Sequence, residues 1–165
     1  MCIADKYISN SQSAFLPGRF ILDGAVTLHE TLHELNKLKQ DVLILKLDLK
    51  KGYDKIKWPF LQQALRIKGF SPKWCEWIHK VMSKVSVAVR VNDDIGPFFQ
   101  THKGFRQGDP LSPILFNLAA DVLAVLIQHA KQAGQIRGVV PHLVENGLFI
   151  LQYADDTILL LHHDI

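Results

Sequence analysis

Two apolar segments near the end of the sequence flank a pair of adjacent carboxylates, and this pattern constrains the fold more than any other. Residues 148–152 and 157–161 are joined by Tyr153-Ala154-Asp155-Asp156. Segments this apolar on both sides of a short turn predict a buried β-hairpin with both carboxylates at its tip. Like charges held so close cost free energy unless a cation neutralises them. The turn is therefore a candidate cation site, with a solvated turn as the alternative because Asp is common in turns.

A third carboxylate closes another predicted strand. Between Asp41 and Leu49, leucines alternate with four other residues, the last of which is Asp48, and this period of two is typical of a strand. Hard divalent cations take oxygen ligands. Two Mg²⁺ ions about 4 Å apart, the usual device of nucleotidyl transfer, need carboxylates from several elements. Asp48 is therefore a candidate partner of Asp155 and Asp156, with a helix cap or a solvated strand end as the alternative.

The rest of the sequence alternates irregularly between predicted helices and strands. A polar loop at 10–20 precedes a helix with apolar residues from 22 to 35, and further helices are predicted at 58–67, 71–82 and 112–133. A hairpin is predicted between 85–91 and 98–101, turning at Asn92-Asp93-Asp94. This order predicts an α+β layered fold rather than a doubly wound sheet. The 165 residues fit one domain, and an apolar content of 48% supplies a core.

Charge, cysteine and hydropathy patterns narrow the partners and the compartment. Nineteen Lys and Arg against sixteen Asp and Glu give a net charge of +3, which permits a polyanionic partner without requiring one. Cys2 and Cys75 have no paired spacing, so we expect a reducing intracellular compartment, cytoplasm or nucleus, rather than a disulfide framework. The longest apolar run, at 122–127, is far shorter than the roughly 18 residues of a membrane span, so no membrane partner is expected.

A rival metal chemistry is suggested by the first long predicted helix. The segment His29-Glu30-Thr31-Leu32-His33 fits the His-Glu-x-x-His pattern, in which two histidines one turn apart hold zinc. Both histidines border an apolar stripe, and Asn36 and Lys39 occupy the places where a third ligand would follow. A zinc metalloprotease is therefore a remote alternative, and half-buried flanking histidines are the simpler interpretation.

Four motifs, in order, resemble those of reverse transcriptases. The segment 48–54 (DLKKGYD) resembles the first palm motif, 104–113 (GFRQGDPLSP) the intermediate motif, and Tyr153-Ala154-Asp155-Asp156 the hallmark turn. The segment 12–19 (QSAFLPGR) resembles the fingers of the non-LTR (LINE-type) retrotransposon branch. The resemblance implies a right-hand polymerase palm with partial fingers, in which antiparallel palm strands pack on helices. It implies a single partial domain, with partial fingers at about 1–40 and mostly palm at 41–165.

The resemblance also implies an activity and its metal ligands. The activity is that of an RNA-directed DNA polymerase, which transfers a nucleotide from a dNTP to the 3′-hydroxyl of a DNA primer on an RNA template. Asp48, Asp155 and Asp156 match the residues that hold two Mg²⁺ ions, with Mn²⁺ as an alternative ion.

Five further residues match nucleotide-binding positions of the family. Tyr53 matches the aromatic residue that fills the space of a ribose 2′-hydroxyl, and a core tyrosine is the alternative. Gln107 and Gly108 match the pair beside the incoming nucleotide, and an ordinary turn is the alternative. Arg106 and Arg19 are candidates for phosphate contacts, and solvated arginines are the alternative.

Two departures from the family pattern limit these expectations. Gly52 stands where family members usually carry alanine, which loosens the backbone beside Tyr53. The sequence begins inside the fingers and ends soon after Asp156, so we expect the upstream basic motif and the thumb to be absent. We therefore expect little processive synthesis by the isolated chain. A non-catalytic remnant or a weak nucleic-acid-binding fragment is the alternative function.

Overall fold

Most of the predicted helices and strands are present, close to their predicted bounds. The structure, a computed structural model, describes residues 6–83, 86–144 and 147–162. The helices are α1 (Ile21–Leu38), α2 (Gly52–Lys55), α3 (Trp58–Ile67), α4 (Pro72–Ser83) and α5 (Ser112–Gln132). The strands are β1 (Val42–Asp48), β2 (Ser86–Val87), β3 (Arg90–Val91), β4 (Asp94–Ile95), β5 (Phe99–Gln100), β6 (Ile150–Tyr153) and β7 (Asp156–His162). The short helix α2 is not among the sequence-based expectations.

The chain forms two compact units. The first comprises residues 1–50 and 120–165, and the second comprises residues 51–119. The assignment of residues 1–40 to partial fingers and of 41–165 to mostly palm, within a single domain, divides the chain by function and stays a prediction.

In the first unit, β7 is the central strand of a three-stranded antiparallel sheet in the order β1-β7-β6. The register of β1 against β7 runs from Val42 opposite His162 to Asp48 opposite Asp156. On the other side of β7, Tyr153 is the partner of Asp156. The predicted hairpin is therefore confirmed, although Asp156 is the first residue of β7 and not a turn residue, and its turn lies at the same end of the sheet as Asp48.

The core of the first unit lies between this sheet, α1 and the segment that follows α5. Its buried side chains are Leu35, Val139, Val140, Leu148 and Leu160. The leucines of β1 are less covered than their alternation suggests, because Leu43 is 50% and Leu45 is 44% exposed. In the part of the chain that the structure describes, β1 pairs on one side alone, so period-two spacing predicts the strand but not the burial of its faces.

In the second unit, α3 and α4 pack together, and Leu61, Leu65 and Ile78 on these helices are buried. The α4 helix begins as predicted, because the Ser71 hydroxyl accepts a hydrogen bond from the Trp74 N–H at 3.3 Å.

The predicted hairpin of the second unit is present as two short antiparallel ladders, β2 with β5 and β3 with β4. Asn92 and Asp93 form its turn with φ values of 48° and 67°. Asp94 is predicted as a turn residue but pairs with Val91 in the ladder, because a two-residue turn with positive φ closes the hairpin most tightly. Residue 85, the predicted first residue of this hairpin, lies outside the described residues.

The longest helix, α5, begins at Ser112 as predicted and spans 21 residues. By length and composition alone it could cross a membrane, a property that core helices share. The Asp121 carboxylate on α5 is buried and accepts hydrogen bonds from the Ser9 N–H at 2.9 Å and from the Ser9 hydroxyl. The middle of α5 therefore packs against the segment that carries Ser9.

Candidate active site

Two of the three predicted catalytic carboxylates are direct neighbours across the sheet. Asp48 ends β1 and Asp156 begins β7, and their Cα atoms are register partners. Partners in an antiparallel pair have Cα atoms about 4.5–5.5 Å apart. Asp155 precedes Asp156 in the turn and is half-buried, whereas Asp48 and Asp156 are exposed. All three residues therefore lie at one end of the sheet.

A lysine partly neutralises this acidic end of the sheet. The Lys46 ammonium lies 3.3 Å from Oδ1 of Asp156, in an exposed ion pair. Lys46 lies two residues before Asp48 on β1, so both side chains belong to the same face of the sheet. Because like charges directly opposite each other are destabilising, a cation at this point is favourable.

The turn between β6 and β7 contains a strained residue. Ala154 has a φ of 54°, a left-handed conformation that costs a non-glycine residue about 1–2 kcal/mol. The Gln12 side chain binds both polar groups of this residue. Its Oε1 accepts a hydrogen bond from the Ala154 N–H at 3.0 Å, and its Nε2 donates one to the Ala154 carbonyl at 3.2 Å. Each such bond contributes on the order of 1 kcal/mol, so the pair offsets the cost of the turn.

The loop that carries Gln12 is attached to β6 and fixed by Arg19. Gln12 and Gln152 form a parallel β-bridge, and the Gln152 N–H donates to the Ser11 carbonyl at 2.7 Å. The Arg19 guanidinium donates to the backbone carbonyls of Ser9 at 2.5 Å, Gln12 at 2.7 Å and Ile8 at 3.1 Å. Arg19 therefore holds this loop, and its predicted contact with a nucleotide stays a prediction.

The carboxylates are not arranged as a ready-made metal site. Within residues 6–83, 86–144 and 147–162, no three His, Cys, Asp or Glu side chains lie close enough together to hold a metal ion. Mutual repulsion favours separated carboxylates, and Asp156 points to Lys46 instead. The donor set nevertheless fits a hard divalent cation, because it consists of carboxylate oxygens and already attracts one positive charge. The metal-ligand roles of Asp48, Asp155 and Asp156 stay a prediction.

A cavity of about 430 Å³ opens beside the Asp156–Lys46 pair. Its walls come from the loop before α1, from α1 and from the sheet, and they include Arg19, Phe20, Tyr153 and Ile158. The Asp156 carboxylate therefore borders open space large enough to admit a ligand.

In the second unit, Tyr53 lies in an aromatic cluster. Its ring stacks on Phe116 at a centroid distance of 4.5 Å and contacts the edge of Phe105 at 5.9 Å. Tyr53 is half-buried, so the stack leaves part of the side chain accessible. The role of Tyr53 as a sugar-selecting residue stays a prediction, and the stack gives it a packing role as well.

The segment that begins at Gly104 is anchored to the segment of Tyr53. The Phe105 N–H donates to the Tyr53 carbonyl at 2.9 Å, and the Gly104 N–H donates to the Ile56 carbonyl at 2.8 Å. The indole N–H of Trp58 donates to the Gly104 carbonyl at 3.0 Å. The structure thus brings together two of the motifs that were identified separately in the sequence.

The predicted nucleotide-binding residues that follow Gly104 are exposed. Gly108 has a φ of 86°, and a Cβ atom built there meets nothing within 4 Å. Gln107 precedes it in the same exposed turn, and the Arg106 guanidinium reaches the Val81 carbonyl at 3.5 Å. This exposed backbone is compatible with the close approach of a ligand, and the binding roles stay predictions.

Sequence reasoning missed Gln12 and Lys46. The hydrogen bonds between Gln12 and Ala154 join residues that are 142 positions apart. Sequence periodicity does not reveal such a contact. Lys46 could have been found, because it is the one basic residue in an otherwise apolar strand that ends at Asp48.

The zinc alternative receives no support. His29 and His33 lie one turn apart on α1 and are exposed, so the expectation that they are half-buried is wrong. No group of three ligand-type side chains includes them in the described ranges.

Comparison with known proteins identifies the family. The family model described as "Reverse transcriptase (RNA-dependent DNA polymerase)" matches residues 2–164. The telomerase of Candida albicans, solved with a fragment of telomeric RNA, superposes with a TM-score of 0.63 at 14% identity, over 97% of this chain and 28% of that chain. At this identity the likeness concerns the fold alone, and it confirms the right-hand polymerase architecture.

Two curated relatives belong to mobile elements. The "Transposon TX1 uncharacterized 149 kDa protein" of Xenopus laevis is 26% identical over 154 residues, which is 93% of this chain and 11% of that protein. The Pol polyprotein of a type-1 R2 retrotransposable element from Popillia japonica is 32% identical over 127 residues, 74% of this chain and 16% of that protein. The chain thus spans a small part of these relatives, and the resemblance to non-LTR elements is confirmed. The chain belongs to the reverse transcriptase family.

Proposed function

We propose that this chain is the catalytic part of an RNA-directed DNA polymerase, with Asp48, Asp155 and Asp156 as ligands of two Mg²⁺ ions. Mn²⁺ is the alternative ion. The substrates are a dNTP and the 3′-hydroxyl of a DNA primer annealed to an RNA template.

One observation carries the proposal, the register that makes Asp48 and Asp156 direct partners beside the turn residue Asp155. Three acidic residues at one end of a sheet repel one another and gain most from a shared cation. The Lys46 ammonium at 3.3 Å from Asp156 supports this argument, because a positive charge is already held there.

In nucleotidyl transfer, the proposed role of the three carboxylates is to bind the divalent cations. Bound divalent cations supply activation of the primer hydroxyl and neutralise charge on the leaving pyrophosphate. The three carboxylates would hold these cations, and the neighbouring cavity of about 430 Å³ leaves Asp156 accessible. The hydroxyl proton leaves toward solvent as the new phosphodiester bond forms and pyrophosphate departs.

The second unit contains further candidate nucleotide-binding residues. In the proposal, the Tyr53 ring excludes a ribose 2′-hydroxyl, and the exposed backbone at Gly108 and Gln107 lies against the incoming nucleotide. The Phe116 stack at 4.5 Å supports the first role, because it fixes the orientation of the Tyr53 ring. The exposed guanidinium of Arg106 is available for phosphate, and Arg19, which lines the cavity beside Asp156, is the second candidate for a phosphate contact.

Primer extension by a chimera tests the proposal. This chain replaces the matching segment in the Pol polyprotein of the Popillia japonica R2 element, and extension of a DNA primer on RNA is measured with Mg²⁺. We expect Asp48→Asn to reduce extension by at least about a thousandfold, since one of the proposed carboxylate ligands would be lost. We expect Asp94→Asn, which changes an exposed acid on β4, to retain extension within about twofold.

Undiminished extension by the Asp48→Asn chimera would contradict the assignment of the ligands. A folded parent chimera that extends no primer would favour the alternative of a non-catalytic remnant.

A further inference from the structure

We infer that Gln12 is a positioning residue that fixes the turn carrying Asp155 and Asp156. The inference rests on the proposed function for its catalytic meaning, because it concerns the turn that supplies two of the proposed metal ligands. The contact between Gln12 and Ala154 can be tested independently of the proposed activity.

The contacts of Gln12 satisfy both backbone polar groups of one turn residue. The Ala154 N–H donates to Oε1 of Gln12 at 3.0 Å, and the Ala154 carbonyl accepts from Nε2 at 3.2 Å. Gln12 is fully buried and Ala154 is 8% exposed. Water therefore has little access to these groups, and loss of the glutamine amide would leave two buried polar groups unpaired.

Ala154 needs such a partner because the sheet does not supply one. The β6–β7 ladder closes at the pair of Tyr153 and Asp156, so Ala154 and Asp155 lie beyond its last pair. Ala154 also has a φ of 54°, which an alanine adopts only when its surroundings impose it. Released from Gln12, the turn can relax, and the carboxylates that follow it change direction.

Gln12 is itself held in place by hydrogen bonds to its side chain, its backbone and its loop. Its Oε1 also accepts the Ala14 N–H at 3.0 Å. The Ser13 N–H donates to the Gln152 carbonyl at 3.1 Å, which fixes the loop against β6. Arg19 donates a hydrogen bond to the backbone carbonyl of Gln12 at 2.7 Å. The backbone and the side-chain oxygen of Gln12 are therefore both held, which favours a fixed position of the amide against the turn.

Two substitutions and one matched control distinguish the loss of the Gln12–Ala154 hydrogen bonds from a general loss of stability. Gln12→Met keeps the length of the side chain and removes both polar groups. Gln12→Glu keeps an acceptor for the Ala154 N–H, while it donates to the Ala154 carbonyl only when its carboxyl is protonated. The control is Ser13→Ala, which removes the hydrogen bond of the Ser13 hydroxyl to the Gln152 carbonyl at 3.2 Å. It changes the same loop and the same strand without touching the turn.

Hydrogen exchange of individual amides in the purified chain, followed by NMR, tests the inference. We expect Gln12→Met to speed exchange of the Ala154 amide at least about tenfold, as the loss of one buried hydrogen bond implies. Amides of the β1–β7 ladder should exchange at parental rates in the folded variant. The Ser13→Ala variant should leave the Ala154 rate within about twofold.

Unchanged Ala154 exchange in Gln12→Met, or an equal acceleration in Ser13→Ala, would overturn the inference. If Gln12→Met does not fold, Gln12→Glu decides. We expect it to keep the Ala154 amide within about threefold of the parental rate, because the acceptor remains. Rapid exchange of Ala154 in a folded Gln12→Glu chain would contradict the proposed contact.

Titration with Mn²⁺ adds the functional readout. Paramagnetic broadening of the Asp155 and Asp156 amides should require about tenfold more Mn²⁺ in Gln12→Met than in Ser13→Ala, since only the former moves the ligands. Equal Mn²⁺ midpoints would overturn the positioning role. If Mn²⁺ broadens neither amide in the parent chain, the proposal of a metal site is wrong. The exchange rate of the Ala154 amide still tests whether Gln12 holds the turn.

Discussion

Asp48 and Asp156 are direct register partners across β1 and β7, at the end of the sheet where the turn carries Asp155. Two like charges at opposing positions in an antiparallel pair destabilise the pair. The Lys46 ammonium, 3.3 Å from Asp156, is the nearby compensation within the same unit. Repulsion between Asp48 and Asp156 lowers the stability of the fold, and a bound divalent cation would relieve it. Such locally unfavourable arrangements are common at functional sites.

Lys46 should compete with a divalent cation for Asp156. We expect Lys46→Met to raise Mn²⁺ affinity by about fivefold at low salt, because removing an exposed pair worth on the order of 1 kcal/mol frees the carboxylate. The measurement is Mn²⁺ binding by electron paramagnetic resonance at two salt concentrations. The gain should shrink at high salt, since exposed charges are screened.

The matched control is Lys37→Met. Lys37 is exposed and forms an ion pair at 3.3 Å with Glu34 on α1, which is half-buried, and its hydrogen bond lowers the pKa of Glu34. We expect no change in Mn²⁺ affinity for this variant. A weaker affinity in Lys46→Met would mean that Lys46 supports the site rather than competes for it.

Tyr53 should select the sugar by its ring volume. In the R2 chimera, Tyr53→Val should raise ribonucleotide incorporation relative to deoxynucleotide incorporation by roughly tenfold to a hundredfold, since steric overlap costs on the order of 1–3 kcal/mol. Tyr53→Phe should change the ratio little, because the ring that stacks on Phe116 at 4.5 Å is retained. The measurement is kcat/KM for matched ribo- and deoxynucleotides. An unchanged ratio in Tyr53→Val would assign Tyr53 to packing alone.

Gly104 and Gly108 should respond differently to the same substitution. Both have positive φ values, 80° and 86°, but a Cβ on Gly104 would lie 2.7 Å from the Asp54 carbonyl oxygen, whereas one on Gly108 meets nothing within 4 Å. We expect Gly108→Ala to lower the free energy of unfolding by about 1–2 kcal/mol. Gly104→Ala should cost about 1–3 kcal/mol more, from backbone overlap.

Urea unfolding of both variants checks this difference. Equal losses would mean that the Gly104 segment can move away from Asp54, and that its anchoring to the Tyr53 segment is weak.

Local patterns explain why much of the fold could be predicted from the sequence. Neighbouring residues determine three features that match the structure: the Ser71 cap of α4, the strand β1, and the two apolar strands on either side of Ala154 and Asp155. Strand ends carrying acids also allowed the prediction that Asp48 meets the turn.

Long-range contacts explain what could not be predicted. Gln12 and Ala154 are 142 positions apart, and a glutamine in a polar loop has no pattern that names its partner. The half-exposed leucines of β1 depend on which strands lie beside it, and periodicity does not contain that information.

Mn²⁺ binding to the purified chain is a direct test of the proposed metal site, because it requires neither template nor primer. We expect the parent chain to bind Mn²⁺ and Asp155→Asn to weaken binding by at least about tenfold, since one anionic ligand is lost. Asp41→Asn, at an exposed position before β1, should bind like the parent. Parental Mn²⁺ affinity in Asp155→Asn would contradict the account, because the turn would then hold no cation.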